Sequence, residues 1–388
     1  METLEMLACQ ADKFKLESHI TYLNGAYMSP SLKSVEDAGH QAISQKCRPY
    51  EIKADDFFKH SKHLRELFAE FIDLPDYHNT AIIPSASYGM ATVANNIRLH
   101  AGDEIVLIEE QFPSNVYVWQ KLAKQFDAKI ITVKAPKIRP GRAVSWNQSL
   151  LDHINTNTAV VAIPPAHWAD GTLYDLKAIR EKTRQCDALM IIDGSQFIGA
   201  APFSVREIEP DALITVAYKW FMGPYSMGVA YYSDRFNQGM PIEESWINRH
   251  NSEDFSGLVS YEDRYQPKAG RYNMGEYSNF IHTPMLIKSL EQLLEWTPRA
   301  IEHYCDTISK SAIQALRDKG CFIEADEFRT KHLFGVYLPE TIDLDKLKTS
   351  FSAKNVFVSF RGNAIRVSPN VYNTEEDFER LLACFNHI

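Results

Sequence analysis

The sequence predicts an α/β protein: a large domain with a mainly parallel, doubly covered sheet, then a smaller α+β domain. Three observations carry this reading. Between about Thr80 and Ser233, short apolar, β-branched runs alternate with amphipathic stretches. The runs are continuous rather than alternately apolar and polar, as strands covered on both faces require. After about Gly257 the pattern changes to two long helical stretches followed by short strands. Helices between such strands allow parallel pairing and define α/β architecture.

The elements follow in order. Thr80–Pro84 (TAIIP) predicts a strand, with a helix through Met90–Ile97. Glu104–Ile108 is a strand followed by a helix over Val116–Gln125; Lys129–Val133 and Ala159–Ile163 are strands, the latter followed by a helix over Leu176–Arg184. Ala188–Asp193, Ala212–Ala217 and Gly228–Ser233 complete the strands of the large domain. Beyond Gly257, Ile281–Trp296 and Arg299–Lys319 read as helices, the second started by Pro298, since proline suits the first helical turn. Leu333–Leu338, Val356–Phe360 and Ala364–Val367 read as strands, with a helix near Leu344–Lys354 and a last one from Glu375. Arg361-Gly362-Asn363-Ala364 predicts a hairpin turn. The expected division is an N-terminal arm (1–20) packing on the small domain, a large domain (21–256) and a small domain (257–388).

Composition excludes several classes. The chain has 388 residues, 45% hydrophobic and 23% charged, with a net charge of -9. That is globular composition, and an acidic surface repels nucleic acid. The six cysteines form no CxxC pair, so they predict reduced thiols in the cytoplasm rather than a zinc or disulfide framework. No stretch has the length of a signal peptide core or a membrane span. His60 and His63 have a metal-compatible spacing but lie among Lys59, Lys62 and Arg65, as on a solvated helix face. No GxGxxG follows a strand and no GxxxxGK[ST] is present, so nucleotide-binding loops of those kinds are missing.

Two strand ends carry chemistry. Asp193 closes ALMIID and precedes Gly194-Ser195-Gln196. It reads either as a ligand-facing carboxylate, since carboxyl ends of parallel strands form the crevice, or as a helix N-cap. Lys219 closes ALITVAYK and precedes Trp220, Phe221 and Met222. Apolar surroundings lower a lysine pKa and free the neutral amine that imine chemistry needs; the alternative is a lysine reaching for water. An aspartate and a lysine on neighbouring strand ends are together the arrangement expected of a pyridoxal 5′-phosphate (PLP) site.

Further motifs surround this pair. They are Tyr22-Leu23-Asn24-Gly25-Ala26, Ser85-Ala86-Ser87-Tyr88-Gly89, Phe112-Pro113-Ser114-Asn115, His167-Trp168 before Gly171-Thr172, Gln196, Tyr218-Lys219, and Arg366-Val367-Ser368-Pro369 before Tyr372-Asn373-Thr374-Glu375-Glu376-Asp377. In this order and spacing the chain resembles the class V branch of the fold-type I PLP-dependent transferases. That branch holds cysteine desulfurases, kynureninases, isopenicillin N epimerase-like proteins and class V aminotransferases. The resemblance runs from Tyr22 to the C-terminus and implies roles residue by residue. Lys219 would carry the cofactor as an imine and Asp193 would keep its ring nitrogen protonated. Ser87, Tyr88 and Tyr218 would lie at its phosphate, a position that small residues at a helix N-terminus favour. Phe112 would stack on the ring, with Asn115, His167 and Gln196 around it. Trp246 and Asn279 would reach in from a second subunit of a homodimer. Arg366 would grip the substrate α-carboxylate through paired hydrogen bonds, with Asn24 and Tyr27 nearby and Arg361 as a lesser candidate.

The departures narrow the chemistry. No cysteine lies between Val356 and Arg366, where desulfurases place their nucleophile. Asn115 stands where kynureninases carry Asp. The expected partners are therefore an amino acid and a keto acid, and the expected reaction is transamination. The alternatives are kynureninase-like cleavage at the β-carbon, epimerisation with Tyr27 or His167 as second base, and an inactive PLP-fold binding protein.

Overall fold

The computed structural model describes residues 7–361 and 364–386. A short strand β1 (Thr21–Tyr22) precedes β2 (Thr80–Ile83), β3 (Glu104–Ile108), β4 (Lys129–Val133), β5 (Thr158–Ile163), β6 (Leu189–Asp193), β7 (Ala212–Val216) and β8 (Gly228–Tyr232). Strands β2 to β8 form one sheet in the order β2-β8-β7-β6-β5-β3-β4. Pairing is parallel from β7 across to β4, while β8 runs antiparallel to β7 and β2. The α/β fold with a mainly parallel sheet is thus observed.

The continuous apolar runs do what two covered faces require. Val106, Ile108, Val161, Ile163, Ile192 and Leu213 point into one core, and their neighbours Ile105, Leu107, Val160, Ala162, Ile191 and Ile214 into the other. This is the two-residue period of a strand with no solvated side. The helix Ala86–Asn95 can lie directly on the sheet because of Gly89. A Cβ there would meet Ile214 at 2.6 Å and Ile83 at 2.9 Å. That close approach brings the helix N-terminus to the carboxyl end of β2.

The smaller unit has β9 (Phe334–Tyr337), β10 (Val356–Phe357), β11 (Ser359–Arg361) and β12 (Ala364–Val367). β11, β12 and β9 form an antiparallel sheet in that order. The stretch expected as one strand, Val356–Phe360, divides at Val358, since β10 pairs with β1 while β11 pairs with β12. The centre of the expected hairpin turn, Gly362-Asn363, lies outside the described residues, as do residues 1–6 of the arm. From Leu7 the arm packs on the small unit: the Gln10 N–H donates to the Val371 carbonyl at 2.8 Å and Phe14 meets Tyr372 edge-on.

The expected domain limits need correcting on two counts. Residues 268–296 pack with the large unit. Tyr272 lies against Tyr232 of β8, and Leu286, Leu290, Leu293 and Trp296 of the helix His282–Trp296 share one core with Val35, Leu64 and Phe68. Conversely, Thr21 to Leu23 bond to Asn355, Phe357 and Ser368 of the small unit. An amphipathic pattern shows that a helix has an apolar face but not which core receives it. We place the boundary at Thr297. Among the described residues no helix is long and apolar enough to cross a membrane.

A buried charge cluster joins the two units. The Asp170 carboxylate accepts from Arg142 Nη1 at 2.9 Å, His167 Nδ1 at 3.1 Å, the Thr172 N–H at 3.0 Å and the Tyr337 hydroxyl of β9 at 2.8 Å. Arg142 and Asp170 are both almost fully buried. Burial pushes the Asp170 carboxyl up, but His167, Arg142 and the Thr172 N–H outweigh it and hold it well below the usual carboxylate range. Asp170→Asn would strand the guanidinium, a loss of about 3–5 kcal/mol, to be read from urea unfolding. A carboxyl depressed on folding stabilises above its unfolded pKa, roughly 3.9, and loses this as pH falls through its folded value. The gap between wild type and variant should therefore shrink as pH drops below about 4; a pH-independent gap would contradict the assignment.

Candidate active site

Five parallel strands deliver their carboxyl ends to one place. The loops after β2 (Pro84–Ser87), β3 (Gln111, Phe112, Ser114, Asn115), β5 (Pro164, Trp168), β6 (Asp193, Ser195, Gln196) and β7 (Tyr218, Lys219) line a cavity of about 290 Å³. This is the crevice expected outside the strand ends of an open α/β sheet.

Asp193 and Lys219 both face it, each about 6% exposed. One Asp193 oxygen, Oδ1, accepts from the Ser195 N–H at 3.0 Å, so Asp193 caps the turn and faces the cavity at once. The Lys219 amine sits 5.2 Å from the centre of the Phe112 ring. Burial lowers its pKa, Asp193 raises it, Arg366 and Arg361 lower it, and the balance is about 8. A substantial neutral fraction is therefore present near neutral pH, as a nucleophile and base require.

At one end of the cavity is the N-terminus of the helix Ala86–Asn95. Ser85 caps it by accepting from the Tyr88 N–H at 3.2 Å. Ser87 stands beside Ser85, their hydroxyl oxygens 3.0 Å apart. Free N–H groups and the helix dipole make this end a seat for an anion. Near the floor, Asn115 Oδ1 accepts from Trp119 Nε1 at 2.7 Å, which turns Nδ2 into a buried donor with no partner. The Ser195 hydroxyl is likewise buried and unpartnered.

A second compartment opens over the same lysine, lined by Ala26, Tyr27, Trp168, Gln196, Arg361 and Arg366 among others. Arg366 is buried, with Nη1 donating to the Trp168 carbonyl at 3.1 Å and Nη2 reaching Ser359 Oγ at 3.5 Å. Its Nε–H has no partner. Burial, then Arg361, push its pKa down to about 9, with Tyr22 opposing. Gln196 is fixed end for end: Trp220 Nε1 donates to its Oε1 at 3.1 Å and its Nε2 donates to the Ala26 carbonyl at 3.0 Å. This leaves its second N–H free.

Several expected site residues stand elsewhere. His167 is fully buried, with its ring nitrogens on Asp170 and the Glu110 carbonyl, and lines neither compartment. It is a structural part of the charge cluster and is not placed to serve as a second base. Its neighbour Trp168 takes the cavity position, because the chain turns there, the Gly171 N–H donating to the His167 carbonyl at 2.8 Å. The Tyr88 side chain interacts with Glu243 and lines neither compartment, so the contribution of this motif lies in Ser85 to Ser87. Asn24 also lies outside both; its Oδ1 accepts from the Ser359 hydroxyl at 2.7 Å, so it acts on Arg366 through Ser359. Trp246 is half exposed among Phe57 and Phe255, and Asn279 caps the helix His282–Trp296. Neither reaches the cavity of its own chain. Gln111, Ser114, Ser195, Tyr225 and Ser226 also line it; of these, Ser114 and Ser195 stood inside quoted motifs.

The set fits PLP. A helix end suits its phosphate, a buried carboxylate its ring nitrogen, an aromatic face its ring, and an amine of lowered pKa its aldehyde. The unpartnered Asn115 and Ser195 donors suit the remaining polar substituents.

Comparison with known proteins agrees. The aminotransferase class-V family matches residues 41–275. The chain is 25% identical over 325 residues to the uncharacterized aminotransferase YcbU of Bacillus subtilis, covering 82% of this chain and 81% of that one. It is 23% identical to a probable cysteine desulfurase of Vibrio cholerae, covering 83% and 81%. Among solved structures, the cysteine desulfurase CsdA of Escherichia coli superposes with a TM-score of 0.81 at 18% identity, covering 96% of each chain. A C-DES variant with glycine covalently linked to its PLP cofactor superposes with a TM-score of 0.85 at 18% identity, covering 98% and 99%. These structures establish the fold-type I framework, and the chain belongs to the aminotransferase class-V family of PLP-dependent enzymes.

Proposed function

We propose that this enzyme is an aminotransferase: it removes the amino group of an α-amino acid and passes it to a keto acid, as a homodimer in the cytoplasm. The observation that carries the reading is that Lys219 lines both compartments, with Asp193 in one and Arg366 in the other, while no cysteine lines either among the described residues. PLP, when bound, supplies the electron sink. The chain's residues supply the rest. The helix end at Ala86 and Ser87 would anchor the phosphate, and Asp193 would hold a proton on the ring nitrogen. Arg366 would fix the substrate carboxylate, leaving Cα beside Lys219. The Lys219 amine would take the Cα proton and deliver it on the cofactor side. Phe112 and Trp168, packed edge to face with centres 5.6 Å apart, would exclude water. Sulfur transfer would need a thiol that this space lacks. The six free cysteines support a reducing compartment.

Three outcomes test the reading. The neutral Lys219 amine is the reactive form, so capture of PLP by the apoprotein should rise with pH and reach half its maximum near pH 8, the value to which burial brings the group. Borohydride should then fix the cofactor to the Lys219 peptide. A midpoint above 10, or label on another lysine, refutes the assignment. In a half-reaction without acceptor, a suitable amino acid should yield one equivalent of its keto acid per site. Alanine, sulfide or the opposite enantiomer appearing with the cofactor unchanged would replace transamination by lyase or epimerase chemistry. Finally, the holoenzyme should sediment as a dimer, and mutating Trp246 or Asn279 in a full-length chain that lacks Lys219 should impair its intact partner in mixed dimers. An active monomer at assay concentration would contradict the shared site.

A further inference from the structure

The substrate compartment holds more positive charge than one α-carboxylate needs. Lys219, Arg361 and Arg366 line it, and among the described residues no aspartate or glutamate does, although the protein as a whole carries a net charge of -9. Arg366 alone can grip an α-carboxylate, since its unpartnered Nε–H and the adjoining Nη2 offer two parallel donors. Arg361 is surplus to that task.

Its position is set by the hairpin. Ser359 pairs with Arg366 and Arg361 pairs with Ala364. Directly opposed residues share a face, and so do residues two apart. Arg366, Ser359 and Arg361 therefore project from the same face, with the two arginines on a diagonal roughly 7–8 Å apart at the backbone. Both lie against the Trp168 ring, at 5.6 Å for Arg361 and 5.9 Å for Arg366. Arg361 spends one donor, Nη1, on the Phe360 carbonyl at 2.7 Å. Among the described residues neither guanidinium forms a salt bridge, whereas the other buried arginines, Arg142 and Arg329, each have an aspartate. Two neighbouring cations without a counter-ion repel each other and are stabilised together by a ligand bearing two negative groups.

We infer that Arg361 is a specificity-determining residue that binds a second carboxylate, so that the amino acid accepted here is dicarboxylic. This rests on the reading of the compartment as an α-amino acid site, and it concerns binding rather than turnover. The probes are accordingly unreactive anions. Calorimetric titration of the holoenzyme with succinate and glutarate, against propionate and butyrate, should show the dicarboxylates binding at least tenfold more tightly. Arg361→Gln should remove most of that preference, and Arg361→Lys should retain part of it. The cofactor spectrum of each variant reports an intact site. Equal affinity for mono- and dicarboxylates overturns the inference. So does a loss in Arg361→Gln that is the same for both classes, because the two arginines would then clamp a single carboxylate. Turnover supplies the second readout: the ratio of kcat/KM for acidic over neutral amino acids should fall about tenfold or more in Arg361→Gln, as losing a charge-assisted bond implies. If dicarboxylates bind selectively and no keto acid forms with any amino acid, transamination fails while the assignment of Arg361 stands.

Discussion

The interior of the sheet cannot hold charge. Each of β6, β7 and β8 is sealed on both faces by apolar side chains, so an ionised group in mid-strand would lie far from water and from any partner. Polar chemistry is displaced to the strand ends, and five strands that run in one direction, β2, β3, β5, β6 and β7, place their carboxyl ends on one edge. Asp193 is the last residue of β6, and Lys219 follows β7 by three residues. The same burial that makes the sheet rigid lowers the Lys219 pKa. Fold stability and the lowered Lys219 pKa thus share one cause here: desolvation along the sheet edge.

The electrostatics of the cavity then divide by depth. The floor carries one carboxylate, Asp193, beside a lysine; the outer compartment carries two arginines and, among the described residues, no acid. A cofactor with a protonated ring nitrogen and a substrate with anionic ends match that gradient in sign. Arg366 is held toward the substrate side by a backbone carbonyl, that of Trp168, rather than by a carboxylate. A carbonyl orients the guanidinium without neutralising it, so its full charge remains for a ligand. A carboxylate in its place would make a stable structural ion pair and a poor receptor.

Most of the framework was legible in the sequence because it is written in local patterns. Continuous β-branched runs mark doubly covered strands, and Asp193 and Lys219 are tied to strand ends whose position those runs define, whereas Ser87, Phe112 and Arg366 were implied by the resemblance to class V enzymes. What was not legible depends on direction and on distant packing. Which of two adjacent residues faces a cavity depends on how the chain turns, and His167 and Trp168 exchange places on that account. Tyr88 turns toward Glu243, over 150 residues away in sequence. The helix His282–Trp296 carries an apolar face that either domain could bury. The division of Val356–Phe360 between two sheets has no local signal, because the partner of β10 is β1, more than 300 residues earlier.

The charge cluster at Asp170 shows how the two units serve one site. A buried ion pair is a weak source of net stability, since desolvation takes back most of what attraction supplies. Its strength lies in geometry, and here four donors converge on one carboxylate from a helix, a loop and β9. The loop so fixed contains Trp168, whose ring touches both arginines of the hairpin and whose carbonyl holds Arg366. Gly171, at φ +76, lets the loop turn against the Leu333 carbonyl, where any side chain would collide with the strand that follows. The large unit would therefore supply the cofactor seat, the small unit supplies the cations, and a network costly to bury keeps the indole between them in register. An apolar joint could bury as much surface but would let β9 slide along the loop, and the Trp168 carbonyl would no longer meet Arg366.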